Sequence, residues 1–92
     1  MNIEKFEAAV SALGFQHNGM TWRYSRGSCA CGVRFIIAYV CRIGDYGETR
    51  KGFELTIHRW GQDGLTGEEI DSVQHGVYKT PLAVFKAVVA EL

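Results

Sequence analysis

The sequence has one proline, no excess of charge of either sign and no long apolar run, and each shortage excludes something. Ten Lys and Arg against ten Asp and Glu give a formal net charge of zero. That balance argues against broad electrostatic capture of nucleic acid, and equally against an acidic decoy that imitates DNA by charge alone. The longest apolar stretch, Phe35 to Cys41, falls far short of the roughly 18–20 residues that span a bilayer. The opening Met1-Asn2-Ile3-Glu4-Lys5 is not basic then apolar, so neither membrane nor secretion is expected. Cys29, Cys31 and Cys41 are an odd number of thiols without a signal peptide, which argues against a secreted disulfide scaffold and reads as reduced cytosolic cysteine. No repeat, low-complexity tract or linker interrupts the chain.

What is present is an ordinary globular balance. Of 92 residues, 47% are hydrophobic and 22% charged, enough for one core and too few residues for two. A single domain spanning residues 1–92 is expected.

Ile3, Phe6, Val10 and Leu13 recur at spacings of three and four, which places them on one stripe of a helix over Asn2 to Leu13, capped by Asn2 and closed by Gly14. Asn18-Gly19 between Phe15-Gln16-His17 and Met20 to Tyr24 signals a hairpin. Ser25 to Gly32 reads as a loop. Val33 to Ile43 is a β-branched and aromatic run, hence a central strand. Gly44 to Gly52 reads as a charged turn with an exposed tip, and Phe53 to Trp60 as the returning strand. Gly61 to Lys79 is expected to be a long connection, with a short helix at Thr66-Gly67-Glu68-Glu69, which fits a capping box. Thr80-Pro81 opens a final helix whose stripe is Leu82, Phe85, Val89 and Leu92.

The expected fold class is therefore α+β: an antiparallel four-stranded sheet with two helices packed on one face, in the order αββββα. Alternation assigns Phe35, Ile37, Tyr39, Cys41 and Ile43 to the helix side, with Met20, Trp22, Tyr24, Phe53, Leu55 and Ile57. Thr21, Arg23, Arg34, Ile36, Ala38, Val40, Arg42, Glu54, Thr56, His58 and Trp60 fall on the other face. A solvent-facing mixture of aromatic, apolar and Arg side chains marks a binding surface.

No catalytic pattern competes with that reading. A zinc site from Cys29, Cys31, Cys41 and a histidine suffers from the Cys-x-Cys spacing and from the expected inward direction of Cys41. A Cys paired with His17, His58 or His75 lacks a third orienting group. Glu68, Glu69 and Asp71 suit the start of an exposed helix better than a cation or an acid–base pair. Neither an enzyme nor a cofactor or metal is expected. His58 and Trp60 either stack on a partner or belong to an ordinary sheet edge. Arg23, Arg34, Arg42 and Arg59, with Arg50 and Lys51 in the loop, are contact groups as a set, since Arg recognises carboxylate and phosphate bidentately. The candidate partner-binding residues are Arg23, Arg34, Arg42, Asp45, Tyr46, Arg50, Lys51, His58 and Trp60.

Two resemblances bear on the partner. The order of elements resembles the double-stranded-RNA-binding domain, which implies phosphate contacts from a lysine-rich start of the last helix. Here that start reads Thr80-Pro81-Leu82-Ala83-Val84-Phe85-Lys86, without the basic cluster. In length, in the opening Met1-Asn2-Ile3-Glu4-Lys5-Phe6-Glu7 and in the segment Trp22 to Arg34, the whole chain resembles phage anti-CRISPR proteins directed at the type I-F surveillance complex. That resemblance implies a stoichiometric inhibitor in the bacterial cytoplasm. It would dock on the multi-subunit Cas protein and crRNA assembly and block target DNA, with direct contact to the crRNA left open and no small-molecule substrate.

Overall fold

Two side chains set the helix starts. Asn2 Oδ1 accepts from the Lys5 amide at 2.8 Å, and Thr80 Oγ1 accepts from the Ala83 amide at 3.2 Å. These caps open α1 (Ile3–Ala12) and α2 (Pro81–Glu91), with Pro81 in the first turn of α2, where its missing N–H is not needed. The computed structural model describes the backbone of all 92 residues and every side chain except those of Arg42 and Arg50.

Between the helices the chain runs as a meander of five antiparallel strands: β1 (Gln16–Asn18), β2 (Thr21–Gly27), β3 (Gly32–Ile43), β4 (Thr49–Gln62) and β5 (Glu69–Tyr78), in spatial order β1-β2-β3-β4-β5. The α+β class holds, but the sheet has five strands where four were expected. The extra strand is β5, drawn from the segment read as a connection. Its supposed capping box is a turn instead: Asp63 Oδ1 accepts from the amides of Leu65 and Thr66 at 2.7 and 3.3 Å, and Gly67 sits at φ +73°. An Asx-type side chain thus takes the amides that a helix would have started from. Glu68 closes that turn, while Glu69 and Asp71 lie on β5.

The register carries both faces. On the helix side the rows read His17–Trp22–Ile37–Leu55–Gly76 and Tyr24–Phe35–Ile57–Gln74, with Tyr39–Phe53–Tyr78 beyond. Against them pack Phe6 and Val10 of α1 and Val84 and Val88 of α2, all fully buried. Phe6 links the layers, 5.1 Å from the Trp22 ring and 5.3 Å from the Phe53 ring between centroids.

Several expected inward positions differ. The buried stripe of α2 is Val84 and Val88, whereas Leu82, Val89 and Leu92 are exposed. That helix is apolar nearly all round, so spacing alone admits two phases. Ile3 on α1 is exposed as well. Met20 lies in the turn before β2, because Asn18 pairs with Thr21 and the tight turn is Gly19-Met20, with Gly19 at φ +62°. Cys41 and Ile43 are exposed although their parity is inward. There β3 and β4 outrun their neighbours: β2 pairs no further than Ala38 and β5 no further than Phe53. The pairs from Val40–Gly52 to Ile43–Thr49 form a two-stranded arm closed by Gly44 to Glu48. The arm helps stretch the molecule to 49 × 32 × 22 Å, with a radius of gyration of 15.2 Å. A compact chain of this length would measure about 12 Å.

Candidate functional site: the open face of the sheet

No helix lies on the other face of the sheet, and Gly61 to Lys79 does not fold over it, since it continues β4, turns and forms β5. Three rows of outward residues cross the face: Gln16–Arg23–Ile36–Thr56–His75, Ser25–Arg34–His58–Val73, and Gly32–Trp60–Asp71. A fourth, Asn18–Thr21–Ala38–Glu54–Val77, leads toward the arm.

Trp60 is held at one end of this face. Its Nε1–H donates to the Ser28 carbonyl at 2.7 Å, and the loop supplying that carbonyl is tied by the Ser28 amide donating to the Cys31 carbonyl at 2.8 Å. The indole can lie there only because position 32 is glycine. A Cβ at Gly32 would stand 2.6 Å from Trp60 Cζ2 and 2.6 Å from the Arg26 carbonyl oxygen. The Arg34 guanidinium carbon lies 6.0 Å from the Trp60 ring centroid, at the outer limit of cation–π contact, and the His58 ring is 5.3 Å away. The Asp71 carboxylate accepts from His58 Nε2 at 2.6 Å. Both partners of this pair are more than a third exposed, so it orients the imidazole and adds only about 0–1 kcal/mol of stability.

Cys29 and Cys31 line the same depression of about 700 Å³ as Trp60, His58 and Asp71. Among the described residues no hydrogen bond joins either thiol to His58. Cys41 sits on the arm, about 30 Å along β3 from the Cys31 loop, so the three sulfurs do not converge. Among the described residues no group of three or more His, Cys, Asp or Glu side chains could hold a metal ion.

Of the expected contact residues, the structure gathers Arg23, Arg34, His58 and Trp60 on the open face. Arg23 and Arg34 are exposed, line one shallow depression beside Ser25, and form no ion pair among the described residues. Asp45 and the almost fully exposed Tyr46 stand at the arm tip, about 35 Å from Trp60 along β4, and belong to a separate place. Arg42 and Arg50 face each other in the backbone register of the arm, and their side chains lie outside the described residues. Lys51 departs from expectation. It is paired with Cys41 and in phase with Phe53, so it lies on the helix side, where with Lys79 it lines a cavity of about 480 Å³ over Trp22 and Phe53. Arg59 is also on the helix side and donates to Glu91 Oε2 at 3.0 Å. Sequence reasoning missed Asp71, Val73 and Val77 as parts of the face because it missed β5. The available signal was compositional: the β-branched and aromatic residues Ile70, Val73, Val77 and Tyr78, bounded by Gly67 and Pro81.

The fold and this surface define a class, a small α+β domain with one sheet face committed to two helices and the other left open. Compared with protein-family models, with curated proteins and with solved structures, the chain matches none. No helix is long and apolar enough to cross a membrane.

Proposed function

We propose that this chain is a stoichiometric protein-binding inhibitor, acting by occupancy without turnover, cofactor or metal, and that the open sheet face is its principal contact surface. The observation that carries the reading is the combination on that face: Arg23 and Arg34 without ion partners among the described residues, the anchored Trp60, and the apolar side chains Ile36, Val73 and Val77 on the same face. Arg and Trp are the residues that most often dominate protein interfaces. Strands about 4.8 Å apart, from about 10 Å long in β1 to about 33 Å in β5, offer roughly 600 Å², and the arm brings this near the ~800 Å² per partner of a standard interface.

The partner we propose is the type I-F CRISPR surveillance complex in the bacterial cytoplasm, which the resemblance to phage anti-CRISPR proteins implies. An assembly of protein subunits and crRNA offers carboxylates and phosphates to free guanidinium groups, and a neutral chain serves this role through local complementarity. The test is to incubate the purified complex with the chain and then add target duplex. Co-purification of the chain with the intact complex and loss of DNA capture are expected. Unimpeded DNA capture with no co-purification would overturn the reading, and micromolar binding to duplex RNA alone at physiological salt would replace it with an RNA-binding module.

A further inference from the structure

The two edges of the sheet are unequal. β1 has three residues, while β5 presents ten along an edge without proline. Sheets usually blunt such an edge with proline, a bulge, lysine or a covering element. Along β5 the register with β4 is unbroken from Gln62–Glu69 to Phe53–Tyr78, and Glu69 to His75 are all exposed, as is Val77.

Which backbone groups are free follows from the turn. The Asp63 amide donates to the Glu68 carbonyl at 2.8 Å, so Asp63 and Glu68 form a hydrogen-bonded pair one step beyond Gln62–Glu69. Bonded and non-bonded pairs alternate in an antiparallel ladder. Ile70, Ser72, Gln74, Gly76 and Tyr78 therefore bond to β4, and the N–H and C=O groups of Glu69, Asp71, Val73, His75 and Val77 point to the open edge.

Acidic and basic side chains lie at opposite ends of this segment. Glu69 and Asp71 occupy the first half, and His75 and Lys79 follow in the second. Antiparallel pairing reverses one copy, so acid meets base. We infer that β5 pairs antiparallel with β5 of a second copy of this chain about a two-fold axis at Val73, joining the two sheets into one. Val73 then stands opposite Val73 of the second copy, Asp71 opposite its His75, and Glu69 opposite its Val77. All of these are residues whose backbone groups face outward, giving about ten new ladder hydrogen bonds. Across the joint the open face carries a chain of side-chain contacts between neighbouring rows: His58 Nε2 lies 2.6 Å from Asp71, Asp71 stands opposite His75 of the second copy, and that imidazole lies 3.8 Å from the Glu54 carboxylate of its own copy. Apolar Val73 side chains meet on the axis. The result is isologous and closed, so it stops at two copies. It does not depend on the partner proposed above, and it leaves Trp60 and Arg34 uncovered.

Sedimentation of the intact chain between about 10 and 200 µM tests this. The expected species has twice the 10.3 kDa chain mass. Val73→Pro removes an N–H that faces outward and bonds nothing in β4, so the variant is expected to keep its circular dichroism and dimerise at least ~30-fold more weakly. A second pair of variants guards against misfolding by proline. Because Val73 opposes itself, Val73→Lys and Val73→Glu are each expected to be monomeric alone, and their equimolar mixture is expected to form a heterodimer. A monomeric wild type over this range, a dimer that survives Val73→Lys, or a mixture of the two charged variants that stays monomeric would overturn the proposal.

Discussion

Phe35→Ala is expected to lower the stability of the domain by about 3–5 kcal/mol, the range for removing a fully buried aromatic ring from a core. Phe35 sits in the middle of β3, fully buried, with the rings of Phe15 and Tyr24 each 6.2 Å away and Ile57 opposite it on β4. The backbone of β3 has little freedom to close the cavity, since it is paired with β2 on one side and β4 on the other. Domains of this size carry only about 5–15 kcal/mol in total, so the variant keeps a small margin. Its midpoint of thermal unfolding is expected to fall by roughly 15–30 °C, read by circular dichroism. A fall of only a few degrees would show that the helix-side layer is not the core.

The largest functional effect is expected from reversing the two arginines of the open face together. Arg23→Glu with Arg34→Glu replaces two exposed cations that have no ion partner among the described residues, so folding stability should change by no more than about 0.5 kcal/mol. If these guanidinium groups meet carboxylates or phosphates of the partner, reversal turns each attraction into repulsion. Binding is then expected to weaken by about 2–4 kcal/mol, which is roughly 30- to 1000-fold in Kd. Titration of the double variant against the surveillance complex, beside a Lys86→Glu control on the exposed side of α2, measures this. Equal losses in both would point to non-specific charge, and no loss in the double variant would remove the face from the interface.

Which parts of this structure were legible in the sequence depends on burial. Asn2, Thr80 and Pro81 act within one turn of chain, so the helix starts could be read directly. Phe35, Ile37, Phe53, Leu55 and Ile57 alternate because one face of β3 and β4 is packed, and the outward positions of Arg34, His58 and Trp60 followed from them. β5 escaped because it is an edge exposed on most of its length, and nothing there obliges apolar residues to alternate strictly. Losing β5 also lost the carboxylate that orients His58. Cys41 and Ile43 kept the alternation of a core strand in an arm that no helix covers, which pattern alone could not reveal. The phase of α2 was hidden by excess: with Leu82, Val84, Phe85, Val88 and Val89 all apolar, only packing against β4 and α1 selects the buried pair.

The central claim, that the helix-free face is where the partner sits, is tested most directly by hydroxyl-radical footprinting of side chains in the presence and absence of the surveillance complex. The account predicts that Trp60 and His58 lose reactivity on binding while Leu82 and Phe85 on α2 keep theirs. Protection of the α2 residues with Trp60 and His58 unchanged would contradict it.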